Sequence, residues 1–177
     1  MGLEGLSIGN LARELGMSKS GLFAHFQSKE ALQLQVIEAA AALFMETVLA
    51  PALRAPRGEP RIRALFERWT GWSDECGLPG GCFFVAAAAE LDDREGPVRE
   101  ALVETQLDWL DALSRAATVA VDAGHFHRDL DPAQFAHDLY AIVLGLHHAR
   151  RLLRPPQARA RAEHAFEALL AGARSTH

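Results

Sequence analysis

Two cysteines, Cys76 and Cys82, are all that a chain of 177 residues carries, too few for a disulfide framework and compatible with reduced thiols. No uninterrupted apolar run approaches the roughly 20 residues of a membrane span. Residues 1–7 lack the basic segment and apolar stretch of a secretory signal, so the expectation is a cytoplasmic protein without a membrane partner. Val, Ile, Thr and Tyr do not gather into alternating runs, which excludes a sheet-based fold. There is no glycine-rich phosphate loop, nucleophile elbow or paired catalytic constellation, and no enzyme and no cofactor are expected. Positive charge is not in surplus either. Against 23 Asp and Glu stand 18 Lys and Arg, a formal net charge of −5, so any affinity for nucleic acid must come from a local motif rather than bulk electrostatics.

What is present forms helices. With 49% hydrophobic residues and Ala, Leu, Arg and Glu at helical spacing, the chain is predicted to be all-α, a small module joined to a larger one. A first short helix spans about 8–15, capped by Ser7, with Ile8, Leu11, Ala12 and Leu15 on one face and Gly16 as its stop. Ser18 caps a second, anchored by Leu22 and Phe23. Two short helices around a tight glycine-containing turn make the helix-turn-helix pattern. Ser28 then caps a long third helix reaching about residue 53. Its stripes Leu34, Ile37, Ala41, Phe44, Val48 and Leu32, Val36, Ala40, Leu43 make it apolar on more than one side, as expected of a helix that links two modules.

After a linker at 54–60, further helices are predicted at 61–76, 82–91, 97–123 and 131–153, and a last one follows Pro155 and Pro156. Residues 77–81, with three glycines and a proline, form a loop. The penultimate helix carries small residues four apart, Ala141, Gly145 and Ala149, which allow close approach of another helix. With Ala162, Phe166 and Leu169 of the last helix they predict a four-helix bundle across a twofold axis. Packing of the same stripe inside the monomer is the alternative.

The segment LSIGNLARELGMSKSGLFAHFQSKEAL, residues 6–32, resembles the DNA-binding signature of the TetR family of transcriptional regulators. A capping hydroxyl, a glycine turn, a second cap, an aromatic residue and HF-x-SKE-x-L occur in that family's register. The resemblance implies a reader at residues 1–30 and a ligand-binding and dimerisation domain at 31–177. It also implies a homodimeric repressor that releases a palindromic operator when a small molecule enters the larger domain. The recognition helices would then enter successive major grooves roughly 34 to 36 Å apart. Ser18, Lys19, Ser20 and Gly21 would meet base edges or phosphates, while Ser7, His25 and Lys29 would reach phosphates. Phe23 replaces a family tyrosine, which removes a hydroxyl and leaves packing. Family members begin with one further helix, so the natural protein is expected to be longer; a dimer that no longer binds DNA is the other reading of this start.

For the effector, Phe66, Trp69, Trp72, Phe83, Phe84, Trp109 and Tyr140 are placed to line an apolar cavity, with Cys82 or His147 as a polar handle. Each is equally an ordinary core position. Tyr140, whose hydroxyl needs a partner when buried, is the preferred orienting group, and the effector is expected to be apolar or aromatic. Ligand binding is expected to shift the helices around Trp69 and Trp109, with the long helix carrying the movement. Two other chemistries are open. HFHRDLD at 125–131 has metal-like spacing but precedes a capped helix and reads as a connector, so no metal is expected. Cys76 and Cys82 flank a flexible loop and form the alternative of a thiol sensor.

Overall fold

Serine hydroxyls start the first three helices. The computed structural model describes residues 2–77 and 80–175. Ser7 Oγ accepts from the Asn10 amide at 3.1 Å to open α1 (Ile8–Glu14), and Ser18 Oγ accepts from Gly21 at 3.1 Å to open α2 (Lys19–Phe26). Ser28 Oγ accepts from Ala31 at 3.0 Å to open α3 (Lys29–Phe44). Each cap contributes about 1 kcal/mol by satisfying an amide that the helix leaves unpaired. Gly16 makes the turn after α1 at φ 63°, a left-handed conformation that costs glycine nothing sterically. Ile8, Ala12, Leu22 and Leu32 form a small buried cluster on which Leu6, Leu11, Phe26 and Val36 pack. Because Leu32 and Val36 belong to α3, the helix-turn-helix closes its core only against the long helix.

That helix continues through a π-helical turn, Met45–Leu49, into α4 (Ala50–Ala52). The wider turn lies just before Pro51, which withholds an amide from the ladder. By length and composition alone, Lys29–Ala52 is apolar enough to cross a membrane, a property the uninterrupted runs do not reveal. Gln33, Gln35, Glu38 and Glu46 break those runs, and Ile37, Phe44, Val48 and Ala52 are buried in the main core.

The remaining helices are α5 (Glu59–Glu75), α6 (Phe83–Leu91), α7 (Pro97–Asp122), α8 (Pro132–His148) and α9 (Ala158–Ala173). Prolines in the first turns of α5, α7 and α8 sit where the missing N–H costs nothing. Asp131 Oδ1 caps α8, accepting from Ala133 at 2.9 Å and Gln134 at 3.2 Å. A second π turn, Ala149–Leu153, extends α8 and ends at Arg154, φ 53°. Helix α8 packs between α7 and α9, while α3 and α5 lie against α7. Of the predicted loop at 77–81, Leu78 and Pro79 lie outside the described residues, among which there is no β-strand.

The segment at 125–131 serves this scaffold through the His125 ring, the His127 backbone and the Asp131 cap. His125 Nδ1 accepts from the Glu59 amide at 3.0 Å, and the His127 amide donates to the Ala173 carbonyl at 2.9 Å. Gly58, φ 91°, lies so close that a Cβ there would fall 2.2 Å from His125 Nδ1. Glu59 is gripped by Arg174 and Arg63, whose hydrogen bonds, Arg174 first, hold its carboxyl down from the ordinary 4.5 to about 2.

Candidate functional site

The outer surface of α2 is almost uncommitted. Ser18, Lys19, Ser20, Phe23, Ala24 and His25 are exposed and Gly21 is half-buried. Leu22 alone of this helix is fully buried. Ser18 Oγ lies 3.4 Å from Ser20 Oγ, which groups two hydroxyls beside Lys19. Phe23 is 54% exposed. Packing is therefore not what it retains after losing a hydroxyl, since its ring stands on the open face. Lys29 also differs from expectation. Its Nζ donates to the Glu4 carbonyl at 2.7 Å and pairs with Glu4 Oε2 at 3.3 Å, so the ammonium is turned to the segment ahead of α1.

Glu4 receives more partners than any phosphate reading anticipates. Arg94 pairs with its Oε2 at 2.9 Å and Gln33 Nε2 donates to its Oε1 at 3.2 Å. Its amide donates to Glu90 Oε2 at 2.7 Å. The Gln33 hydrogen bond, followed by Lys29 and Arg94, holds the Glu4 carboxyl below the usual range against the opposing effect of burial. Leu3 meanwhile is buried in the main core. Residues 3–4 thus tie α3 to α6, a connection that periodicity could not reveal because it is made outside any helix.

Between α3, α5, α6, α7 and α8 lies a cavity of about 280 Å³. Of the residues proposed from sequence, Trp69, Trp72, Cys82, Phe84, Trp109 and Tyr140 line it, and so does His147. Phe44 of α3 is the centre of its aromatic wall, edge-on to Trp109 at 4.8 Å, Trp72 at 5.0 Å and Phe84 at 5.7 Å between ring centroids. Two expected members stand elsewhere. Phe66 turns to α9 and stacks on Phe166 at 4.0 Å, while Phe83 is half-buried and packs edge-on against Phe84 outside the lining. Phe66 and Trp69 on α5, and Phe83 and Phe84 on α6, leave their helices on different sides, so neighbouring aromatics serve different surroundings.

Tyr140 finds its partner within the protein, its hydroxyl donating to Gln106 Oε1, and burial pushes the phenol up. His147 is held down by burial first and by Arg151 and Arg150 next, which favours the neutral imidazole at neutral pH. Burial pushes the Cys82 thiol up, opposite to the activation that a thiol sensor needs. Both π turns border the cavity, one through Met45 and Leu49, the other through Arg150 and Arg151. Arg150 pairs with Asp74 and donates to the Thr70 carbonyl at 3.2 Å. Gln106, Arg150 and Phe44 escaped the sequence reading. Phe44 alone left a signal, as a member of the inward stripe of α3.

On the outer side of α8, Ala141 and Gly145 are exposed and Ala149 is half-buried. A Cβ on Gly145 would meet nothing within 4 Å. The partners assigned to α9 divide differently. Ala162 and Phe166 are buried within the monomer, because the 162, 166, 170, 173 spacing is the inward stripe of that helix, while Leu169 is half-buried. Among the described residues no three metal-capable side chains converge.

Comparison with known proteins bears on both halves. The family model described as bacterial regulatory proteins, tetR family, matches residues 1–36, and the model described as tetracyclin repressor-like, C-terminal domain, matches residues 58–166. A TetR-family transcriptional regulator from Streptomyces coelicolor shares the fold at TM-score 0.81 and 22% identity, over 97% of this chain and 86% of that one. A TetR transcriptional regulator from Chloroflexus aurantiacus gives 0.82 and 23%, over 96% and 84%. AibR, solved with isovaleryl coenzyme A and operator DNA, gives 0.67 and 22%, over 96% and 87%. No curated protein matches the sequence.

Proposed function

The chain belongs to the TetR family of bacterial regulatory proteins, and from that premise we propose a homodimeric repressor whose hold on a palindromic operator is released by a small apolar or aromatic molecule. Residues 1–30 act as the reader and 31–177 as the receiver and dimerisation domain. One observation carries the reading: a single continuous helix, Lys29–Ala52, gives Leu32 to the reader's core and Ala41, Phe44, Met45 and Leu49 to the cavity wall. A ligand that alters the wall acts on the same rod that positions α2. The effect requires tighter binding to the conformation that does not fit DNA, since equal affinity for both shifts nothing. AibR, a neighbour in fold solved with both a ligand and operator DNA, gives this two-site logic a precedent.

On DNA, Ser18, Lys19, Ser20 and Gly21 face the major groove with Phe23 beside them, and Ser7 and His25 approach phosphates. Lys29 acts through Glu4 instead, setting the position of α3 against the reader. Dimerisation uses the open face of α8 at Ala141, Gly145 and Ala149, with Leu169 at the edge of α9. Selection of sites from randomised duplex DNA, followed by sedimentation of the complex, tests the proposal. The expected result is one palindromic site bound by two chains. Gly145→Arg, which has room in the monomer, is expected to abolish the dimer and operator binding while leaving the helical signal intact. Sequence-independent binding, or a dimer indifferent to Gly145→Arg, would overturn the respective half.

A further inference from the structure

Gly81 stands at one edge of the cavity with φ 80°, and two nitrogen-bearing side chains close on it from α8 and the π turn that extends it. A Cβ placed there would fall 2.8 Å from His147 Cε1, 3.0 Å from Arg151 Cδ and 3.2 Å from Arg151 Nε. Imidazole and guanidinium thus converge on one spot, and both line the cavity. The neighbouring Arg150 is engaged by Asp74 and by the Thr70 carbonyl. The Arg151 guanidinium, by contrast, has neither a hydrogen-bond acceptor nor a carboxylate partner among the described residues. The charges that act on His147, from Arg151, Arg150 and His148, are all positive. Asp108 of α7, the remaining charged group of the lining, is not among them. The unmet demand at this edge is for negative charge.

The count of free charges decides which anion. Arg151 offers one uncompensated positive charge in a planar fork that matches a carboxylate. A phosphate dianion would call for a second cation, and Arg150 is already neutralised. Beside this edge the wall turns apolar: Phe84, three residues on from Gly81, stacks on Trp72 at 5.6 Å, and Phe44 stands edge-on to both. Resting on the reading of this cavity as the effector site, we propose that the effector is a compact amphipathic monoanion, its apolar body against Phe44, Trp72 and Phe84 and its carboxylate at the Gly81 edge, accepting from Arg151 and His147. Arg151 is exposed, so the carboxylate stays partly hydrated there and avoids the desolvation cost of an ion carried in among the rings.

Three probes of one shape and different charge test this by calorimetry on the full chain at neutral pH. They are 2-naphthoate, 2-naphthamide and 2-naphthamidinium. The carboxylate is expected to bind roughly 5- to 10-fold more tightly than the amide, between the effect of an exposed ion pair and that of a buried one, and the cation most weakly. Arg151→Gln should lower naphthoate affinity to that of the amide and leave amide affinity in place. Arg128→Gln, the same loss of charge at an exposed position outside the lining, should change neither. Equal binding of naphthoate and naphthamide by the wild type, or tighter binding of the amidinium, would overturn the inference while sparing the cavity reading. A naphthoate preference that survives in Arg151→Gln would overturn the role of Arg151 and leave that side chain to offset the carbonyls of the helix end. Failure of all three probes to bind would overturn the reading of this cavity as a site for compact aromatic molecules, on which the inference rests. The wild-type comparison decides even where a variant does not fold.

Discussion

Four buried residues hold α1, α2 and the start of α3 together, whereas the helices from α3 to α9 close on a continuous cluster that includes three tryptophans. The reader has to leave Lys19, Ser20, Phe23 and His25 uncovered, so it can bury little and relies on serine caps and a shared long helix. The receiver buries enough apolar surface to keep a cavity open within its aromatic wall. Stability in the reader is local and borrowed, and in the receiver it is collective. A perturbation inside the receiver therefore has a short path to the reader.

Truncating the wall should have the largest effect. Phe44→Ala removes the ring that Trp72, Phe84 and Trp109 all touch and is expected to cost about 3–5 kcal/mol in chemical denaturation, with both modules losing structure together. Leu22→Ala, in the small core, is expected to cost about 2–3 kcal/mol. If the comparison holds, amide exchange will accelerate in α1 and α2 while α7 to α9 keep their protection and calorimetric ligand affinity persists. Uniform acceleration would show one cooperative unit instead.

Acid should separate the halves more gently. The Glu59 carboxyl is depressed to about 2 by Arg174 and Arg63, so its contribution is complete above the unfolded value near 4.5 and is lost as pH falls from there toward 2. Glu59→Gln is expected to flatten the acid limb of receiver stability over that window, measured as denaturation midpoint against pH, with little change in its shape above pH 6. The smallest effect belongs to the exposed face of α2. Lys19→Ala should leave stability unchanged and lower the slope of log operator affinity against log salt by about one. An unchanged slope would remove Lys19 from the phosphate contacts.

How far these features could be read in advance follows the same division. The caps at Ser7, Ser18 and Ser28 were legible because a hydroxyl and an amide three residues on meet within one turn. So was the all-helical fold, whose apolar periods are written along single segments. Illegible were the engagement of Lys29 by Glu4, the departure of Phe66 toward Phe166 and the pairing of Tyr140 with Gln106. Each joins residues from 25 to 100 positions apart, and spacing within a helix gives its faces without naming the neighbour of each face. The π turn at Met45–Leu49 was missed for another reason, since the stripe through Val48 continues across it without a break in pattern.

By itself the sequence determined the helices, their starts and stops, and the register in which α2 presents Ser18 to His25, because capping, glycine turns and apolar period act within a few residues. Only the tertiary structure decided which aromatics enclose space and which fill it, and that Ala162 and Phe166 serve the monomer core. It alone left the indole N–H groups of Trp72 and Trp109 buried with no acceptor among the described residues. Those outcomes depend on the relative rotation of packed helices, and a few tens of degrees of rotation turn a core residue into a lining one.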